Sequence, residues 1–105
     1  RAALEVLNLF EGGKKIIVTP GMVELGDLQE IENFKLGQEI AKMTDISILV
    51  GKKIADDVHR GVEADQNEDH KNYRVDTLDD ATKLLGEILS PGDVVLFEND
   101  LTDIY

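Results

Sequence analysis

Two short runs of aliphatic residues constrain the fold more than any other feature of this sequence. Residues 16–19 are Ile-Ile-Val-Thr, and residues 46–50 are Ile-Ser-Ile-Leu-Val. A strand with one solvated face alternates apolar and polar residues, whereas strands covered on both faces, as in parallel sheets, stay apolar along their length. The two runs therefore predict buried strands, and the second indicates a parallel sheet.

The segments around these runs carry helical patterns. Residues 1–10 place apolar side chains at helical spacing, and residues 28–44 separate a solvated face from a packing face. Thr77, with Asp80 three residues later, has the spacing of a helix N-cap that opens the last helix. The other predicted elements are a short helix after Gly51 that closes at Gly61, a polar surface loop that begins at Val62, a brief strand over residues 73–75 and a last strand over residues 94–97.

Strands that alternate with helices at this spacing predict an α/β fold, with a mostly parallel sheet and helices on both faces. A length of 105 residues indicates a single domain, residues 1–105. Because the sequence already reads as helix at Arg1 and does not open with methionine, we expect this domain to be excised from a longer chain.

Composition excludes several classes of function. The chain has 11 Lys and Arg against 22 Asp and Glu, a net charge of -11, which repels phosphate backbones and makes nucleic acid an unsuitable partner. It has no cysteine, so disulfides, thiolate catalysis and cysteine-based metal sites are excluded, and a reducing compartment fits. The apolar runs are far shorter than the roughly 20 residues of a membrane span, so we expect no membrane insertion and a cytoplasmic location.

Familiar motifs of nucleotide and metal binding do not occur in the sequence. It contains neither G-x-G-x-x-G nor G-x-x-x-x-G-K-[ST], and no G-x-S-x-G nucleophile elbow. Asp65 opens a stretch that resembles a calcium loop, but His70 stands where the sharp turn needs glycine and Asp76 replaces the bidentate glutamate. His59 and His70 lack a third ligand at suitable spacing. We therefore predict a solvated loop and no metal site.

In parallel α/β sheets, ligands bind just beyond the carboxyl ends of the strands. Here those ends carry the segments TPGMVELG, GKK, DTLDD and ENDLTDIY, which we expect to meet at one edge. In the first segment Pro20 restricts one backbone dihedral, and Gly21 permits positive φ and a close backbone approach. For the pair alone, a tight strand-to-helix connection is favoured over a binding loop.

The residues around that loop carry a resemblance to a known family. The segment VTPGMVELG at 18–26 is followed by Asn33, by Leu-Gly at 36–37, by ILVG at 48–51 and by PGDVVLFEND at 91–100. In this order they resemble the C-terminal domain of Mur ligases, most closely the MurF type, the UDP-N-acetylmuramoyl-tripeptide:D-alanyl-D-alanine ligases. The similarity covers essentially the whole chain, and TPGMVELG is its most specific block.

That resemblance implies a Rossmann-like third domain of a bacterial cytoplasmic enzyme of peptidoglycan precursor synthesis. The parent enzyme would use ATP and Mg²⁺, bound mainly by an absent central ATPase domain, to join UDP-muramoyl tripeptide to D-Ala-D-Ala. The third domain would close over the central one, which excludes water from a hydrolysable acyl phosphate. We expect the fragment alone to be inactive, monomeric and without a bound cofactor.

No catalytic residue is expected in this domain, but its edge is expected to face ATP and substrate. Asn33 would support the loop from the next helix, whereas Met22 could equally cover the edge of the sheet. Lys52 could meet a phosphate or a carboxylate, or simply start a solvated helix. The residues predicted at this edge are Thr19, Gly21, Met22, Glu24, Asn33, Lys52, Asn99 and Asp100.

One segment departs from the family. Many MurF-type sequences end the last strand with FKGS, and this chain has FENDLTDIY, with Glu98 in place of the lysine. The identity of the amine substrate is therefore open. Two alternatives stand beside the MurF type: a non-enzymatic α/β binding module with an acidic surface, and the same domain of a folylpolyglutamate or cyanophycin type of amino-acid ligase.

Overall fold

The computed structural model describes residues 2–22 and 26–98 and contains a four-stranded parallel sheet. The strands are β1 (Lys15–Thr19), β2 (Ile46–Val50), β3 (Lys71–Val75) and β4 (Val94–Phe97), in the order β3-β2-β1-β4. The helices are α1 (Ala2–Glu5), α2 (Gln29–Met43), α3 (Lys53–Asp65) and α4 (Leu78–Ile88), and short 3-10 helices span Val6–Leu9 and Gly26–Leu28. The predicted α/β class and parallel sheet are confirmed.

The apolar runs lie in the centre of the sheet because both of its faces are covered. Ile17 and Leu49 pack with α1, α2 and α3 on one face. Ile16 and Ile48 point to the other face and pack with α4. The molecule is therefore a three-layer sandwich, as the continuous apolar pattern predicts.

The sequence prediction was wrong in three places. The first segment does not form one helix over residues 1–10, because α1 passes into a 3-10 helix at Val6 and Phe10 is extended and exposed. Gly61 does not close α3, which continues to Asp65. The segment from Val62 onward is not a surface loop throughout, since Val62 is buried in α3 and His70 is buried before β3.

Gly61 lies inside α3 because helix packing requires it there. A Cβ atom at Gly61 would stand 1.9 Å from the carbonyl oxygen of Phe34 in α2, and one at Gly37 would stand 2.0 Å from the carbonyl oxygen of Val58 in α3. The two helix backbones thus touch where these glycines face each other. A glycine within a helix normally weakens it, and here the close contact between the helices explains its presence.

The predicted N-cap of α4 is confirmed, and it yields a testable stability effect. The Asp80 N–H donates to Thr77 Oγ1 at 3.1 Å. We expect Thr77→Ala to lower the free energy of unfolding by about 1 kcal/mol, because that N–H loses its acceptor. Thr82→Ala in the same helix is the control: its hydroxyl only bonds back to the Leu78 carbonyl, so the change should be close to neutral. Urea denaturation of the two variants measures the difference, and equal losses would contradict the capping role.

Candidate functional site

The parallel sheet brings the carboxyl ends of its strands to one edge, which we call the carboxyl rim. In the described chain the rim consists of residues 19–22, 51–53, 76–77 and 98. Thr19, Gly21, Met22 and Lys52 belong to it, and Asn33 contacts it from α2. Glu24, Asn99 and Asp100 lie outside the described residues.

The loop after β1 is held by hydrogen bonds to its own backbone. The Gly21 N–H donates to Thr19 Oγ1 at 3.1 Å, and the Thr19 side chain is buried. Gly21 has φ of 91°, which is favourable only for glycine, and a Cβ there would lie 2.7 Å from a methyl carbon of Ile54. Both the dihedral and the contact therefore require glycine at this position.

Asn33 fixes the same loop from α2. Its Oδ1 accepts the Met22 N–H at 2.6 Å, and its Nδ2 donates to the Met22 carbonyl at 2.9 Å and to the Gln29 carbonyl at 2.9 Å. The Asn33 side chain has no exposed surface, and Met22 packs into the core beside α3. Of the residues predicted for this loop, Thr19, Gly21, Met22 and Asn33 are thus brought together, but inside the domain, where they set the shape of the loop.

The loop between β2 and α3 presents the basic residues of the rim. Gly51 turns the chain with φ of 102°, and its N–H donates to the Val75 carbonyl at 2.8 Å. Lys52 and Lys53 follow, and both are exposed. Their ammonium groups can meet an anionic group at the rim, in a molecule whose net charge is otherwise strongly negative.

Arg74 holds this loop, and the sequence analysis missed it. Its Nη2 donates to the Lys52 carbonyl at 3.1 Å and lies 2.8 Å from Asp56 Oδ1. The sequence gives no sign of this role, because Arg74 is a single basic residue in a short edge strand. Only the pairing of β2 with β3, which aligns Leu49 with Arg74, brings it to the loop.

A shallow groove of about 270 Å³ runs along the rim between the two loops. It is lined by Pro20, Val50, Gly51, Lys52, Lys53, Ile54 and Ala55. A larger open cleft of about 640 Å³ lies at the opposite edge, near Phe10, Lys42 and Asp45. We favour the smaller groove as the functional site, because ligands of parallel α/β sheets bind at the carboxyl ends of the strands.

The two histidines serve contacts within the domain. His59 Nδ1 lies 2.7 Å from Asn72 Nδ2, which can only donate, so Nδ1 accepts and Nε2 carries the hydrogen toward Glu63, 3.1 Å away. His70 contacts Thr44 in the interior. Across the described ranges there is no group of three or more histidine and acidic side chains that could hold a metal ion. Nor does any helix in residues 2–22 and 26–98 have the length and apolar character to cross a bilayer.

No protein-family model matches the chain, and no curated protein matches it.

Proposed function

We propose that this chain is the C-terminal domain of a MurF-type ligase, which adds D-Ala-D-Ala to UDP-N-acetylmuramoyl-tripeptide. The observation that carries the proposal is the position of its most specific motif. The first half of TPGMVELG leaves β1 at the carboxyl rim, in a loop fixed by Asn33, and the groove beside it carries two lysines. The sequence departs from the family directly after the last strand, from Glu98 onward, so a related amino-acid ligase is the second candidate.

The role of the domain in that enzyme would be to close over the ATPase domain. A loop whose backbone is already fixed loses little conformational entropy when it meets a partner surface, so the rigidity of residues 19–22 favours closure. Lys52 and Lys53 would then face the anionic substrates at the domain boundary, and Arg74 would keep their loop in place. Closure also excludes water from the reacting groups.

ATP supplies the phosphoryl group that activates the tripeptide carboxylate, and Mg²⁺ is expected with it. The sequence of this domain has no phosphate-binding G-x-x-x-x-G-K-[ST] loop, and its described residues have no acidic cluster suited to a metal. In this proposal ATP and Mg²⁺ are held mainly by the central domain. This chain would contribute the two lysines and the shape of the groove.

The proposal is tested with the full-length protein of the gene that encodes this chain. We expect that protein to contain a phosphate-binding loop and to release phosphate only when UDP-muramoyl tripeptide and D-Ala-D-Ala are both present. Turnover with glutamate but not with the dipeptide would favour the folylpolyglutamate type, and a gene that starts at or near Arg1 would favour a free-standing binding module.

Within the longer enzyme, the two lysines provide a sharper prediction. We expect Lys52→Ala with Lys53→Ala to lower kcat/KM by about tenfold or more, since a hydrogen bond to a charged group contributes about 1.5–3 kcal/mol. Lys83→Ala is the matched control, because Lys83 is an exposed lysine on α4, away from the rim. Steady-state phosphate release measures both variants, and an unchanged rate in the double variant would show that the two lysines have no role at the site.

A further inference from the structure

A buried histidine lies at the opposite edge of the sheet, where the strands begin. His70 precedes β3 and is only 7% exposed. Its ring meets Thr44, the residue that ends α2. Strands β2 and β3 both start beside His70 and Thr44, and the Lys71 N–H of β3 donates to the carbonyl of Asp45, just before β2, at 3.0 Å. His70 thus joins the turn over residues 66–70 to the end of α2.

The hydrogen bonds fix which ring nitrogen carries the hydrogen. Thr44 Oγ1 has one hydrogen and donates it to the Ile40 carbonyl at 2.7 Å. The same oxygen lies 3.1 Å from His70 Nε2 and must therefore accept, so Nε2 carries the hydrogen in the neutral ring. Nδ1 is then a bare acceptor, buried and without a hydrogen-bond partner among the residues that the structure describes.

A second proton would have to sit on Nδ1, which has nothing to donate to. Burial lowers the pKa of His70, and the charge of Asp45 opposes this in part. Lys42 of α2 and Asp65 of α3 pair with each other at 3.4 Å, so they partly cancel at this corner. The charged groups on the surrounding elements are Lys42 on α2, Asp65 on α3, Asp45 at the start of β2, Glu68 and Asp69 in the turn and Lys71 on β3.

We infer that His70 is a pH-sensitive contact: the neutral ring holds the turn over residues 66–70 against the end of α2, and protonation of the ring releases that turn. The released turn frees His70 to take up its second proton in water. The carboxyl rim lies at the far end of the strands and keeps its structure. The inference does not depend on the proposed ligase function.

The direction of the effect follows from the lowered pKa. At a pH above the ordinary histidine pKa of about 6.5, the His70 ring is neutral whether the turn is closed or released, so the contact has its full strength. As the pH falls below that value, the released turn binds a proton that the closed turn does not, and release becomes more favourable. The equilibrium shifts by up to about tenfold for each pH unit until the closed form also titrates.

Amide hydrogen exchange measured by NMR between pH 7.5 and 5.5 tests the inference. After correction for the intrinsic pH dependence of exchange, we expect the amides of Thr44 and Lys71 to lose up to about tenfold of their protection at pH 5.5. The Gly51 amide, bonded to the Val75 carbonyl at the carboxyl rim, should keep its protection and is the internal reference. An equal loss at all three amides, or none at any of them, would overturn the inference.

Two variants separate His70 from the other histidine. The glutamine of His70→Gln can still donate an N–H to Thr44 but does not titrate. In this variant the protection of the Thr44 and Lys71 amides should therefore be independent of pH in this range. His59→Gln should behave like the parent protein. A pH-dependent loss that persists in His70→Gln would reject the role of His70.

The ring can also be observed directly, which keeps the test valid if His70→Gln does not fold. Long-range proton–nitrogen correlation spectra of the parent protein should show the Nε2–H tautomer of His70 at pH 7.5. They should also show a titration midpoint below the ordinary histidine pKa. A hydrogen on Nδ1, or titration above that value, would contradict the inference.

Discussion

Gly61→Ala is expected to lower the free energy of unfolding by about 3 kcal/mol or more, a large effect for the addition of one methyl group. The added Cβ would lie 1.9 Å from the Phe34 carbonyl oxygen and 3.0 Å from the Gln38 nitrogen. Both atoms belong to the backbone of α2, so no side chain can rotate away to make room. The helices must separate, and Leu36, Ile40 and Val58 then lose packing contacts in the same core.

A second glycine in a helix provides the matched control for this prediction. Gly86 lies in α4, and a Cβ there meets nothing within 4 Å. Gly86→Ala should therefore raise stability by about 0.5–1 kcal/mol, the usual gain from replacing glycine in a helix. Thermal denaturation distinguishes the two variants. Because the melting temperature shifts by several degrees for each kcal/mol of unfolding free energy, Gly61→Ala should melt more than about 10 °C below the parent. A melting temperature close to that of the parent would disprove backbone contact at the crossing.

The partner glycine allows a further test of the same contact. Gly37→Ala should destabilise comparably, because its Cβ would lie 2.0 Å from the Val58 carbonyl oxygen. Once one alanine has separated α2 from α3, the second adds less, so the double variant should lose less than the sum of the single losses. Strict additivity in a double-mutant cycle would show that the two glycines act independently.

Asn33→Ala is expected to cost about 3 kcal/mol of unfolding free energy, the second large effect. The change removes the acceptor of the Met22 N–H and the donor to the Met22 carbonyl, and both groups are buried. A buried polar group without a partner costs about 1–3 kcal/mol, which exceeds the contribution of the hydrogen bond itself. Lys35→Ala, at an exposed position of the same helix, should leave stability within about 0.5 kcal/mol and is the control.

Asn33→Asp should show a pH-dependent loss of stability, which a general loss of packing would not produce. The ionised carboxylate could accept from Met22 but could not donate to the Met22 carbonyl, and it would be a buried charge. Protonation at acid pH restores an O–H donor, so the difference in stability between Asn33→Asp and the parent should shrink as the pH falls. A difference that stays constant between pH 7 and pH 4.5 in urea denaturation would contradict the hydrogen-bonding role of Asn33.

Local chemistry made much of the fold predictable. The central strands were evident from their uninterrupted aliphatic residues, and β4 was placed at residues 94–97, as the structure has it. Helix α2 was predicted over 28–44 and spans Gln29–Met43. Thr77 was predicted as an N-cap because the signal lies within four residues of the chain. In each case the residues that determine the element are neighbours in sequence.

The candidate site was only partly predictable for the same reason. The segment TPGM was expected at the carboxyl edge of the sheet, since every strand of a parallel sheet ends there. The role of Asn33 at that edge depends on hydrogen bonds to Met22, 11 residues away in the sequence, and the place of Arg74 depends on strand pairing. Neither relation has a pattern in the sequence.

The sequence by itself determined where the central strands, α2 and the start of α4 lie and that the sheet is mostly parallel, because aliphatic runs, caps and turn residues act over a few positions. Tertiary structure decided what Gly61 and His70 do. A glycine in a helical pattern looks like a stop until a second helix touches it, and a histidine in an acidic segment looks solvated until a helix end covers it. Contacts between distant parts of the chain, and not local preference, gave these residues their environment.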